Sequence, residues 1–162
     1  MKPAFSVLLV DDSEDDRLFV RRALRKNPAF VVVGELCDGE AAIAYLAGHG
    51  EFSNREKFPY PDVVLLDLKL PRKTGHEVLE WIQAQRLEKL RTIVLSGSFL
   101  PEDITRSREL GANAYFKKEA MEEEQQAMIA DMEKLLKDSW FNQAGSPVQP
   151  EPAPCSPGKF HA

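Results

Sequence analysis

Residues 7–16 read VLLVDDSEDD: four apolar residues without alternation, then two adjacent carboxylates, then a serine and three more acids. An uninterrupted apolar run of this length is what a strand buried on both faces of a parallel sheet requires. Ser13 can cap a following helix whose first turn carries Glu14, Asp15 and Asp16, with Leu18, Phe19, Val20, Ala23 and Leu24 expected on its inner side and Arg25 and Lys26 near its end. The alternation repeats. A β-branched run at 31–33 precedes a helix at about 39–47, and a second fully apolar run at 63–66 ends in Asp67. Further along come a helix at about 75–85, a strand at 92–95, a helix opened by Pro101, a short strand at 114–116 and a last helix at about 119–137. Five such units predict an α/β fold: a doubly wound, five-stranded parallel sheet in the order 2-1-3-4-5.

The remaining features bound the chain. Its 162 residues, 43% of them hydrophobic, suffice for one core, expected over residues 1–142. A net charge of −5 opposes binding to a nucleic-acid backbone. Cys37 and Cys155 form neither a CxxC motif nor a Cys/His cluster, so no disulfide framework or zinc site is suggested, and a reducing cytoplasm fits. No membrane segment is expected, because the apolar run near the N-terminus is far too short. Residues 48–61 (GHGEFSNREKFPYP) form a long polar loop with Phe52, Phe58 and Tyr60 embedded in it, a candidate contact surface. Residues 143–162 carry five prolines and no periodicity, which predicts a disordered tail.

In an open parallel sheet a site forms beyond the carboxyl ends of the strands. Those ends are Asp11 and Asp12 after the first strand, Asp67 after the third, Ser96 after the fourth, and Lys117 and Lys118 after the fifth. With the first and third strands adjacent, three carboxylates converge, which is costly unless a cation joins them. Oxygen ligands favour a hard ion such as Mg²⁺. Attack by Asp67 on phosphorus would then need neutralisation of the phosphoryl oxygens, which Lys118 and the Ser96 hydroxyl can supply. Singly, each residue has a bland reading: an acidic pair after a strand is often a solvated turn, and Tyr115 could simply cover the sheet. Their joint occurrence at one sheet edge is what argues for a site.

VLLVDDSEDD, LLDLKLPRKTG (65–75), IVLSGS (93–98) and GANAYFKK (111–118), in this order, resemble the receiver domain of two-component response regulators over residues 5–137. The resemblance implies a flavodoxin-like fold, Asp67 as phosphoacceptor, and a Mg²⁺ site made by Asp12, by Asp11 mainly through water, by Asp67 and by the Lys69 backbone carbonyl. It further implies Ser96 as a contact to the phosphoryl group, Tyr115 as an aromatic switch, and Lys118 as the phosphate-pairing lysine, although a one-residue shift would exchange it for Lys117. Glu119 departs from the pattern, standing where the family usually has a proline after a cis bond. A trans bond is expected instead.

The implied function is a single-domain regulator that takes phosphate from a histidine kinase and signals through a changed surface, with no enzymatic role beyond its own phosphorylation. The loop at 48–61 and the DLKLP and PEDI segments look most like regulators paired with phytochrome-type kinases. Two other classes compete. A haloacid-dehalogenase-type phosphohydrolase wants a DxD pattern after its first strand, which Asp11 and Asp12 do not make. A receiver-shaped module that is never phosphorylated would not need the complete set of site residues. A homodimer is also expected, because Met121, Met128, Ile129, Met132, Leu135 and Leu136 recur at helical spacing and Trp140 and Phe141 follow.

Overall fold

The computed structural model describes residues 4–143 and 159–161, with side chains over 4–138. Five strands, β1 (Phe5–Val10), β2 (Phe30–Leu36), β3 (Val63–Leu66), β4 (Arg91–Ser96) and β5 (Ala114–Lys117), lie parallel in the order β2-β1-β3-β4-β5. Between them run α1 (Glu14–Arg25), α2 (Gly39–Ala47), α3 (Gly75–Ala84) and α4 (Pro101–Glu109), and α5 (Glu122–Gln143) follows β5. Every residue of β3 and β4 is buried, as two covered faces demand. One face packs Val7, Leu9, Leu65 and Ile93 against α1 and α5; the other packs Leu8, Val64, Leu66 and Val94 against Tyr45, Val78 and Leu79 of α2 and α3.

Three expectations need correction. Phe19 is 46% exposed rather than inward, so the inner stripe of α1 is the narrower Val20, Ala23 and Leu24. The loop at 48–61 turns its aromatics inward: Phe52 and Phe58 pack on the fully buried Tyr45 at ring-centroid distances of 5.1 and 6.0 Å. Arg55 fastens it by donating to two carbonyls in the last turn of α2, that of Leu46 (3.1 Å) and that of Tyr45 (2.8 Å), which also accepts from the Gly48 cap N–H. Tyr60 alone of the three aromatics is exposed. Finally, residues 159–161 of the tail expected to be disordered form a sixth strand, β6 (Lys159–His161), antiparallel to β5. The open edge of β5 supplies the backbone groups for that pairing. The rest of the tail expectation, over 144–158 and 162, lies outside the described residues.

The stripe on α5 is accounted for by the sheet: Met128, Ile129, Met132 and Leu136 are buried in the core and Leu135 packs partly against it. Met121 is 61% exposed, and the side chains of Trp140 and Phe141 lie outside the described residues.

Candidate functional site

The sheet register builds the site. Val10 pairs with Leu66, and the Asp67 N–H donates to the Val10 carbonyl at 3.0 Å, so the two strands deliver Asp11 and Asp67 side by side. Asp11 is fixed twice more: its Oδ1 accepts from the Ser13 N–H at 2.9 Å, and its carbonyl accepts from Arg17 Nη1 at 2.5 Å. Beyond Asp67 the chain folds back tightly, with the Gly75 N–H donating to the Leu68 carbonyl at 2.9 Å before Thr74 and Glu77 form a capping box on α3.

Asp11, Asp12 and Asp67 each offer a carboxylate oxygen within 4.8 Å of the others; Asp11 and Asp67 are buried and Asp12 is exposed. An all-carboxylate donor set with one open side fits a hard divalent cation that keeps part of its water. Lys69 is exposed on the loop beside this cluster.

Lys118, and not the exposed Lys117, reaches the carboxylates. Its Nζ lies 2.7 Å from Asp11, 2.8 Å from Asp16 and 3.0 Å from Asp67. Burial pulls the Lys118 pKa down, but hydrogen bonds to Asp11 and Asp16 and the charge of Asp67 outweigh it and hold the group above the ordinary lysine range. Asp11 moves up: its burial outweighs the hydrogen bonds from Lys118 and Ser13. The backbone around Lys118 is held from behind. Its N–H donates to the Ser96 carbonyl at 2.9 Å, and the buried Gln125 donates Nε2 to the Glu119 carbonyl at 2.9 Å. The peptide bond between Lys118 and Glu119 is trans, as expected.

Ser96 is buried at the end of β4, and its Oγ accepts from the Ser98 N–H at 3.1 Å. Tyr115 is fully buried, its hydroxyl donating to the Ser98 carbonyl at 2.6 Å while Phe99 lies edge-on at 6.1 Å. Burial pushes its phenol above the usual tyrosine range, partly offset by hydrogen bonds with Ser96 and Ser98. Tyr115, the residue expected to act as a switch, therefore faces inward.

The sequence reading did not place Asp16, Arg17 or Gln125 at the site. The one sequence signal for Asp16 is its closeness to Asp11 and Asp12: it sits in the first turn of α1, which starts just beyond the acidic pair that follows β1.

A wound parallel sheet with acids at its first and third strand ends and a lysine at its fifth is the arrangement of a receiver-type signalling domain, and the comparisons agree on that class. The chain belongs to the response regulator receiver domain family, whose profile matches residues 7–140. Among its relatives is the response regulator Rcp1 of Synechocystis, 38% identical over 117 residues, or 72% of this chain and 78% of that one. The phosphorylated cyanobacterial phytochrome response regulator RcpA superposes with a TM-score of 0.66 at 31% identity, covering 91% of this chain and 99% of that one. The Mn²⁺-bound form of Rcp1 gives 0.63 at 31% identity, covering 90% and 99%. These relatives match the regulator type that the loop and the DLKLP segment suggested.

Proposed function

We propose that this receiver is a phosphorylation switch in which Asp67 accepts a phosphoryl group from the phosphohistidine of a histidine kinase. The observation that carries the reading is the meeting of Lys118 Nζ with Asp67 Oδ2 at 3.0 Å inside the acidic cluster. An Asp67 oxygen attacks phosphorus, the P–N bond breaks, and the imidazole leaves with the electron pair. Lys118 pairs with the transferred group and the Ser96 hydroxyl donates to one of its oxygens. Asp11, Asp12, Asp67 and the Lys69 carbonyl would hold Mg²⁺, which when bound neutralises charge on the phosphoryl oxygens. Tyr115 reports the state of Ser96 to the surface around α4 and β5.

The kinship with the phytochrome response regulator RcpA supports a phytochrome-type kinase as partner, and membership of the receiver family supports a cytoplasmic place of work. The output is a protein contact, with no catalysis beyond the domain's own phosphorylation and dephosphorylation. Acetyl phosphate with Mg²⁺ is expected to label Asp67 in the parent and to leave Asp67→Asn unlabelled, as read by peptide mapping; equal labelling of both would overturn the assignment.

The domain also pairs with a second copy through the side that carries α4, β5 and α5. Exposed Phe99, Leu100 and Met121 support this, since apolar groups on one side are stabilised by cover. Sedimentation velocity over a wide concentration range is expected to give a dimer that beryllofluoride strengthens. A monomer throughout would remove the dimer, and an unchanged dimer would remove only its control by phosphate.

A further inference from the structure

Asp16 stands outside the three carboxylates that converge on a metal position, yet its Oδ2 lies 2.8 Å from Lys118 Nζ. It is the third residue of α1, after Glu14 and Asp15, where an acidic side chain commonly folds back on the cap residue's N–H. Here that N–H already donates to Asp11 Oδ1, and Asp16 instead reaches across the mouth of the site to Lys118. The contact joins α1 to the loop after β5, two segments 102 residues apart.

An ammonium has three N–H donors, and Lys118 meets three carboxylates. A divalent cation engages two of these, Asp11 and Asp67, and repels the ammonium. Asp16 is then the one carboxylate left to Lys118. We infer that Asp16 is a positioning residue that draws the Lys118 ammonium away from the metal position and competes with the phosphoryl group for it. This rests on Asp67 being the phosphoacceptor. Neutralising Asp16 therefore acts with opposite signs on the two ligands. Cation binding weakens, because Lys118 falls back on Asp11 and Asp67. Anion binding strengthens, because Lys118 is no longer shared.

The opposite signs separate this role from a structural one, which would weaken both or neither. Asp16→Asn keeps the side chain's size and its place in the helix; Asp15→Asn removes a charge from the same turn at an exposed position. Calorimetric titration of the full chain with Mg²⁺, and then with beryllofluoride at saturating Mg²⁺, is expected to show the Mg²⁺ Kd of Asp16→Asn rising about fivefold and its beryllofluoride Kd falling about fivefold. Asp15→Asn should stay within about twofold of the parent on both. Unchanged constants, or both weakened, in Asp16→Asn would overturn the inference. A parent that binds Mg²⁺ but no beryllofluoride would overturn the phosphoacceptor reading instead, and the Mg²⁺ titration would still decide whether Asp16 keeps Lys118 off the metal position.

Discussion

Alanine at position 75 is expected to cost about 3 kcal/mol of folding stability and to stop phosphate uptake at Asp67. Gly75 opens α3, and inside a helix alanine is ordinarily favoured over glycine by about 1 kcal/mol, so the naive expectation has the opposite sign. Packing decides otherwise. A Cβ on residue 75 would lie 2.3 Å from the Asp67 carbonyl oxygen and 2.7 Å from the Leu68 Cα. Both obstacles are backbone. Neither can retreat, because the Asp67 N–H is tied to β1 through Val10 and the Gly75 N–H is tied to the Leu68 carbonyl. The displacement must pass into the peptide that carries Asp67, the proposed phosphoacceptor. Gly39 is constrained in the same way from α2, where a Cβ would lie 2.0 Å from the Lys73 carbonyl oxygen on the far side of the same loop. Gly97, with nothing within 4 Å of its notional Cβ, provides the control. Urea unfolding and acetyl phosphate labelling of Gly75→Ala, Gly39→Ala and Gly97→Ala test the argument. A Gly75→Ala protein as stable and as reactive as the parent would refute it.

These close approaches explain what could and could not be read in advance. Strands β1 and β3 were legible because VLLV and VVLL are buried on both faces and so carry no polar interruption. The outer strand β2 was read at three of its seven residues, since its exposed and half-buried positions admit Gly34 and Glu35 and blur the apolar run. The acids and the lysine of the site were legible for a different reason: they sit at the carboxyl ends of strands, and finding the strands finds them. Asp16 was not, because its charge also suits the N-terminus of a helix, and that local explanation concealed the contact with Lys118 across 102 residues. Gln125 was hidden likewise; a glutamine on a polar helix turn looks solvated until its partner, the Glu119 carbonyl, is seen. The aromatics at 48–61 looked like an exposed surface because sequence does not show that Tyr45, ten residues before Arg55, provides the wall they pack on. Strand β6 follows a proline-rich stretch, and its pairing depends on the free edge of β5 rather than on any pattern of its own.

Methionine at position 118 is expected to lower stability by about 3 kcal/mol at pH 7.5 in buffer freed of divalent metal, and to make that stability depend on pH and on Mg²⁺. The Lys118 side chain is only 20% exposed, and its ammonium meets carboxylates of Asp11 and Asp67 that are 4% and 7% exposed. Methionine keeps the length of the side chain but leaves these acids facing one another without a cation. In the parent, burial raises the Asp11 pKa while the Lys118 hydrogen bond and charge hold the rise in check. Without the lysine the native-state pKa climbs further, whereas the unfolded value stays near the ordinary one. Between those two values the folded chain holds more protons than the unfolded chain, so stability is fully present below the window and is lost as pH rises through it. The deficit of Lys118→Met should accordingly shrink as the pH is lowered from 7.5 toward 5, with a weaker trend of the same sign in the parent. Mg²⁺ should act in the same sense as protons. In the parent a cation must share the site with the ammonium; in the variant it meets only acids, binds more tightly, and stabilises more at a given concentration. Urea midpoints measured at several pH values, with chelator and with Mg²⁺, decide the matter. A variant whose deficit is constant with pH, or that gains less from Mg²⁺ than the parent does, would show that Lys118 does not carry the charge balance of the site.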